Sequence, residues 1–452
     1  MSRFRRLRRS RWFAMRIWRQ RLVFWGGAIA VGCVSVAFTE AADACQSVFR
    51  HLITRLWLLP LLITPAGFVL CAALTRRYFA GAEGSGIPQA IAARALPPGP
   101  DRHRLLAPRL IIGKIGLMLV GLLCGASVGR EGPTVQVGAT IMLQVARFGG
   151  LKNERGLILA GSAAGIAAAF NAPLAGIVFA IEELSRSFEQ RTNGLVLYAV
   201  IFAGLTSLGL LGNYTYFGLT SATANNWQDW LMVIACGVLG GLAGGAFGRL
   251  MQEISRRARA WMAPNLPRRS LQFALACGLI VALTGVFTHG ATFGTGYAQA
   301  RGAIEGQSIA WFFGPAKFVA TLATAVSGIP GGIFAPSLAV GAGIGRLIGA
   351  LFGSNAFSLA AVLGMAGYFA GVVQAPMTAF VIILEMTGNS ANVIPLMATA
   401  MLGFGASKLV APTPLYHELA KNFLPRPETK EMEEAEFTPL PPVSPDRRRT
   451  GS

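Results

Sequence analysis

Two nine-residue stretches decide the fold: Gly125-Ala126-Ser127-Val128-Gly129-Arg130-Glu131-Gly132-Pro133 and Gly328-Ile329-Pro330-Gly331-Gly332-Ile333-Phe334-Ala335-Pro336, set 203 residues apart. Their glycines and closing prolines coincide, and Glu131 of the first faces Phe334 of the second. The register continues outward. At the same offset Lys114 meets Lys317, Gly161 meets Gly364, Asn171-Ala172-Pro173-Leu174 meets Gln374-Ala375-Pro376-Met377, and Glu182 meets Glu385. Upstream, Gly84-Ser85-Gly86-Ile87-Pro88-Gln89-Ala90 matches Gly294-Thr295-Gly296-Tyr297-Ala298-Gln299-Ala300 at an offset of 210, the difference falling where Pro97-Pro98-Gly99-Pro100 lengthens the first copy. The chain is therefore a duplication whose halves share a scaffold and differ at a carboxylate.

The surroundings of Glu131 are apolar. The 452 residues are 53% hydrophobic and 13% charged, with 55 glycines and a mean hydropathy of +0.52. A soluble chain carries about 25% charged residues. Apolar windows near 22–38, 56–74, 105–127, 157–181, 195–212, 231–248, 271–287, 309–326, 333–352, 357–384 and 391–411 indicate an all-α polytopic membrane protein. Several windows are broken by Gly or Pro, so roughly ten to eighteen segments are expected, some tilted or half-length. Duplicated halves with broken helices are the pattern of transporters with a site at the repeat interface. The expected organisation is a basic segment 1–21, membrane repeat 22–215, membrane repeat 228–420 and a tail 421–452. Inverted repeats need an odd number of crossings in each half, which the segment pattern suggests without fixing.

The formal net charge of +20 does not point to nucleic acid. Nine arginines lie within the first 21 residues with no acid among them. Positive flanks mark cytoplasmic helix ends, which places the N-terminus in the cytoplasm, resting on anionic lipid. The start has the outline of a signal peptide, with an apolar run to Phe38 and then Ala42-Asp43-Ala44. That run is long enough for a first membrane helix, and the basic region is unusually long, so a retained helix is the better reading. The six cysteines have no paired spacing and read as small core residues. Beyond about residue 420 the chain turns polar and proline-rich and reads as a disordered cytoplasmic tail.

An ionisable side chain at membrane depth marks an ion or proton pathway. Three segments share a design around it: Gly84 to Pro88, Gly129 to Pro133 and Gly331 to Pro336. Each is a glycine-rich break with a proline at the expected start of a helix, where a missing N–H is harmless. Free N–H groups at such starts carry partial positive charge and bind anions. Converging starts would hold a small anion without a full cationic partner, firmly enough to select it and weakly enough to release it. The plainer alternative, glycine-mediated helix packing as in Gly240-Gly241 with Gly244-Gly245, explains one such motif better than three.

These segments resemble the three anion-site signatures of the CLC chloride channel/transporter family. Asn171 to Gly176, Leu384-Glu385-Met386-Thr387 and Pro414-Leu415-Tyr416 also match in order and spacing, so the resemblance covers roughly 25–420. It implies an inverted-repeat membrane fold and a homodimer with one anion pathway per subunit, with windows near 195–211 and 391–411 suited to the interface. By position, Ser85 and Tyr416 would offer hydroxyls to a central chloride, and the backbone N–H groups of Ile333 and Phe334 would complete that site. Gly84, Gly86, Pro88, Gly129, Arg130, Gly132, Pro133 and Gly332 would support it. Glu131 would be the external gate, an ionised carboxylate competing with chloride where a protonated one has no reason to. Glu183 matches the family's internal proton-transfer glutamate, which proton-coupled exchangers keep and channels usually replace; the competing reading is a helix-end acid paired with Arg186. Glu182 and Glu385, being repeat-equivalent, read as structural, and Lys114 and Lys317 as setting the local field. Gln89 stands where the family often has Glu. Ser85 favours chloride, whereas proline-substituted relatives tend to prefer nitrate.

The resulting expectation is a chloride/proton antiporter of a bacterial inner membrane, multi-pass with both termini cytoplasmic. It would need no cofactor or metal beyond the transported chloride and proton. A passive channel of the same fold is the first rival. A remote one is an intramembrane enzyme, because Gly125-Ala126-Ser127-Val128-Gly129 satisfies the Gly-x-Ser-x-Gly pattern. It lacks the strand–turn–helix setting, and Pro330 replaces Ser127 in the second copy. His51, His103, His289 and His417 have no metal-ligand spacing and read as surface or loop-end residues.

Overall fold

The structure, a computed structural model, describes residues 2–185, 190–212, 215–218, 220, 222–353 and 357–425. Arg186 and the acidic and basic runs of the tail lie outside the described residues. The first half holds α1 (Ser2–Arg55), α2 (Pro60–Tyr78), α3 (Ile87–Ala95), α4 (Pro100–Leu105), α5 (Pro108–Leu123), α6 (Glu131–Gly149), α7 (Glu154–Phe170), α8 (Pro173–Phe179) and α9 (Gln190–Leu211). The second holds α10 (Trp227–Met262), α11 (Leu266–Phe287), α12 (Tyr297–Ile304), α13 (Phe313–Val326), α14 (Phe334–Gly349), α15 (Phe357–Val373), α16 (Pro376–Thr387), α17 (Val393–Val410) and α18 (Leu415–Ala420). The change at residue 21 is one of composition only, since α1 runs through it unbroken.

Among the described residues, five helical stretches are long and apolar enough to cross a membrane: Trp18–Arg55, Pro100–Leu123, Gly194–Leu211, Trp227–Phe287 and Ser390–Val410. Others are too short. At 1.5 Å per residue the 16 residues of α14 reach about 24 Å, less than a hydrocarbon core of roughly 30 Å. Such a helix has to start within the bilayer, where its first N–H groups lack both water and intrahelical partners.

The duplication is visible as paired contacts. Gly129 and Gly332, equivalent by sequence, exchange both backbone hydrogen bonds at 2.8 Å in an antiparallel bridge. The two copies thus run in opposite directions through their contact, as inverted repeats should. Glu182 accepts from the N–H groups of Met377 and Thr378 at 3.1 and 2.6 Å. Glu385 accepts from those of Leu174 and Ala175 at 3.0 and 2.6 Å. Each carboxylate therefore caps the proline-started helix of the opposite copy. Glycine packing repeats as well. A Cβ on Gly138 would lie 2.2 Å from the carbonyl oxygen of Gly161, and one on Gly364 2.4 Å from that of Gly341.

Burying an ammonium is expensive unless it is hydrogen-bonded, and both lysines reach backbone carbonyls. Lys114 donates to the carbonyls of Ala82 and Gly84 at 2.7 and 2.9 Å. Lys317 donates to those of Thr292 and Gly294 at 2.8 and 2.7 Å. These acceptors are equivalent at the 210 offset, so each lysine ties down the backbone leading into a glycine-rich break. The caps can be tested together. Glu182→Ala and Glu385→Ala should each lose about 1–2 kcal/mol of stability, seen as similar falls in the thermal inactivation temperature of detergent-solubilised protein. A large effect at one and none at the other would contradict their equivalence.

Candidate functional site

Three glycine-rich breaks meet at one place. Gly84 gives its N–H to the Ile329 carbonyl at 3.1 Å and accepts from Gly331 N–H at 3.0 Å. The Gly129–Gly332 pair lies alongside. A Cβ on Gly132 would approach the Ser85 carbonyl oxygen to 2.9 Å, so the start of α6 packs directly on the turn into α3. Gly86 closes that turn in the left-handed region, at φ 95°. Pro88, Pro133 and Pro336 all fall within the first three residues of their helices, as their missing N–H groups predict.

Glu131 opens α6 and is fully buried. Its Oε2 accepts from Ala335 N–H at 3.4 Å, so the carboxylate lies against the first turn of α14. Ile333 and Phe334 lead into that same turn. The alignment of Glu131 with Phe334 thus becomes a contact between the two helix starts. Gly129 leaves room for it, since a Cβ there would sit 2.4 Å from Oε2 of Glu131.

The Phe334 ring is packed by aromatics from both halves. It stacks on Phe170 at 6.2 Å and meets Phe179 and Phe369 edge-on at 5.7 and 4.9 Å. Tyr416 lies across it at 5.9 Å. Tyr416 is fully buried, and its hydroxyl has no hydrogen-bond partner among the described residues. A buried phenol without a partner is disfavoured by about 1–3 kcal/mol. Ser85 is 8% exposed, and its Oγ accepts a long bond from Ile87 N–H at 3.4 Å, leaving its own O–H to be given elsewhere. The helix carrying Tyr416, α18, packs against α3, which follows Ser85.

Glu183 sits apart from this cluster. It lies in a π-helical turn, Ala180–Ser185, that continues α8, and it is 2% exposed. Wider turns of this kind recur at functional positions. Arg94 of α3 donates to the Leu184 carbonyl at 2.7 Å and holds the turn. His417 corrects the sequence reading, because it is no loose surface residue. Its side chain is three-quarters covered, with Nε2 2.9 Å from the Glu183 carbonyl and 3.8 Å from the Glu183 carboxylate. Its position beside Tyr416 was the available signal, but a search for metal-ligand spacing does not test it.

Arg130 is buried and bonded to the carbonyl of Thr39 at 3.2 Å and the carboxylate of Asp43 at 2.8 Å. Its guanidinium stands 5.5 Å from the ring centre of Tyr216. The Tyr216 hydroxyl donates to Oε1 of Glu131 at 3.4 Å. Neither Asp43 nor Tyr216 was singled out from sequence. Ser127, the candidate nucleophile, is buried in the turn between α5 and α6, with its hydroxyl 3.0 Å from that of Thr321. That is a helix-to-helix junction and not the strand-to-helix elbow the hydrolase pattern requires.

Residues 66–408 match the sequence profile of the family described as voltage gated chloride channel. The chain is 30% identical over 433 residues to the H(+)/Cl(-) exchange transporter ClcA of Yersinia pestis bv. Antiqua (strain Angola), covering 88% of this chain and 87% of that protein. The ClcA of Yersinia pseudotuberculosis serotype IB (strain PB1/+) matches to the same extent. Among solved structures, a slow cyanobacterial Cl-/H+ antiporter superposes with a TM-score of 0.77 at 25% identity, covering 91% of this chain and 99% of the other. A CLC-type fluoride/proton antiporter gives 0.74 at 25% identity, covering 87% and 96%. The match spans both repeats, the three glycine-rich breaks and the helix starts they present, and on that ground the chain belongs to the voltage-gated chloride channel family, the CLC family.

Proposed function

We propose that this protein exchanges chloride for protons across a bacterial inner membrane, with Glu131 as the external gate and Glu183 as the internal proton-transfer carboxylate. The observation that carries the reading is the Glu131 carboxylate lying against the N–H of Ala335 at the start of α14. A helix start is a place for an anion, and here a side-chain anion takes it. Chloride and the carboxylate then compete for one position. Protonation removes the side-chain competitor and frees the position for chloride.

Ser85, Tyr416 and the first N–H groups of α14 supply the central chloride site. Two hydroxyls and backbone N–H groups bind a halide without the full charge that would trap it. Glu183, buried behind His417 and the end of α8, gives the proton a second carboxylate on a separate branch. Relatives and structural neighbours named as chloride/proton antiporters favour exchange over passive conduction. The Arg-rich start of α1 is placed on the cytoplasmic side. A homodimer fits the apolar side chains left open on α9 and α17, among them Leu205, Leu208, Ile394 and Met401. In a lone subunit these face lipid.

Purified protein in liposomes tests the reading. A chloride gradient should drive protons uphill; chloride flux without proton movement would establish the channel alternative instead. Glu131→Gln should keep anion flux and lose proton coupling, and normal coupling in that variant would remove Glu131 from the gate. Glu183→Gln should stop proton movement at least tenfold while chloride flux continues. Wild-type coupling there would place the inner proton stop elsewhere. Ser85→Ala and Tyr416→Ala should each weaken chloride binding in calorimetry, by roughly tenfold to a hundredfold for one lost hydrogen bond to a charged partner.

A further inference from the structure

Glu131 touches one residue that neither repeat supplies. Tyr216 lies in the connector between α9 and α10, is 2% exposed, and places its hydroxyl 3.4 Å from Oε1 of Glu131. The ring is held on several sides. Phe170, Phe217 and Tyr297 meet it edge-on at 5.9, 4.9 and 5.1 Å. The Arg130 guanidinium stands 5.5 Å from its centre. The connector is pinned to the second repeat through the N–H of Phe217, which bonds the Met386 carbonyl at 2.9 Å. Beyond the ring is a cavity of about 300 Å³ lined by Thr39, Glu40, Asp43, Arg130, Leu211 and Tyr297 together with Tyr216 itself. Asp43, more than half exposed, reaches from this cavity to Arg130 at 2.8 Å. Asp43, Arg130, Tyr216 and Glu131 therefore form a connected series from an open cavity to the buried carboxylate.

A phenol O–H given to a carboxylate is a charge-assisted bond, weakened here by its length of 3.4 Å. It exists only while the carboxylate stays where it is. A gate that swings out to admit chloride breaks it, and so does any motion that exchanges Glu131 for an anion at the start of α14. We propose that Tyr216 is the latch of this gate. It is a positioning residue whose hydroxyl holds the Glu131 carboxylate in the anion pathway, and the Arg130–Asp43 pair fixes the ring that carries it. The latch rests on the reading of Glu131 as the gate. It adds that the connector shares in holding the closed position, alongside the Ala335 N–H of the second repeat.

The test is Tyr216→Phe, which removes one oxygen and keeps the ring, reconstituted in liposomes and compared in wild-type and Glu131→Ala backgrounds. With the carboxylate present, losing the latch makes chloride the better competitor. The external chloride giving half-maximal flux should fall about fivefold, the scale of an ordinary hydrogen bond rather than of a short charge-assisted one, with maximal flux changed less. With Glu131 already removed, the substitution should do nothing, because a residue acting only through Glu131 has no effect without it. An unchanged half-saturation in the wild-type background overturns the latch. An equal shift in both backgrounds does so too, since Tyr216 would then act on the pathway by packing. Asp43→Asn alters an exposed residue and supplies a second route: a smaller shift in the same direction is expected, and no shift removes the Arg130–Asp43 pair from the arrangement. Failure of the gate reading is seen separately, as intact proton coupling in Glu131→Ala alone.

Discussion

Gly129 and Gly332 exchange two backbone hydrogen bonds, and the arrangement of the interior follows from that pair. Each glycine is two residues ahead of a helix, so closing the pair fixes where α6 and α14 begin and that they depart in opposite directions. Helix starts in a bilayer are a liability, because their N–H groups have neither water nor intrahelical carbonyls. Bringing two of them to one point, with the turn into α3 bonded alongside through Gly84, concentrates unsatisfied donors in a small volume. A small anion is the natural partner for such a place. Only glycine permits this approach: a Cβ on Gly332 would come within 2.7 Å of the carbonyl oxygen of Gly129.

Two repeat-equivalent pairs of charged side chains show why Glu131 differs from them. Lys114 and Lys317 are tied to backbone carbonyls. Glu182 and Glu385 each take two N–H groups at a helix start of the opposite copy, at distances down to 2.6 Å. These groups act as structural pins and come in equivalent pairs. Glu131 has no equivalent carboxylate, and its bonds to Ala335 and Tyr216 are both long at 3.4 Å. Long bonds hold a group that can be displaced. Glu182 and Glu131 both face helix starts, and the shorter bonds of Glu182 are those of a cap.

Much of this was legible in the sequence because duplication turns composition into geometry. The 203-residue offset paired Gly129 with Gly332 and Glu182 with Glu385, and the same pairs organise the interior. The prolines at 88, 133 and 336 marked helix starts because the chemistry of a missing N–H admits few other positions. What was not legible lies outside the repeat or depends on neighbours distant in sequence. Tyr216 belongs to the connector, so no second copy drew attention to it. Asp43 is 87 residues before Arg130 and reads from sequence only as part of Ala42-Asp43-Ala44, the end of a signal-peptide outline. His417 was weighed as a metal ligand, and its contact with the Glu183 turn depends on the packing of α18 rather than on any spacing along the chain.

An inverted duplication by itself builds two equivalent half-sites and no direction. Transport that couples two ions needs the two sides to differ. Here the difference enters at aligned positions where one copy has a carboxylate and the other does not: Glu183 faces Met386, and Glu131 faces an aromatic ring, Phe334, packed by Phe170, Phe179, Phe369 and Tyr416. The carboxylate can leave its place or change its charge, whereas the ring can do neither. The repeats therefore supply a symmetric cradle of helix starts, and in the function proposed above the Glu131/Phe334 substitution is what makes one wall of it movable. The connector adds a second asymmetry, since Tyr216 reaches Glu131 from outside both copies and carries Arg130 and Asp43 with it toward an open cavity. A fold of this kind can keep its scaffold constant while these few unpaired positions set how readily the movable wall yields to an anion.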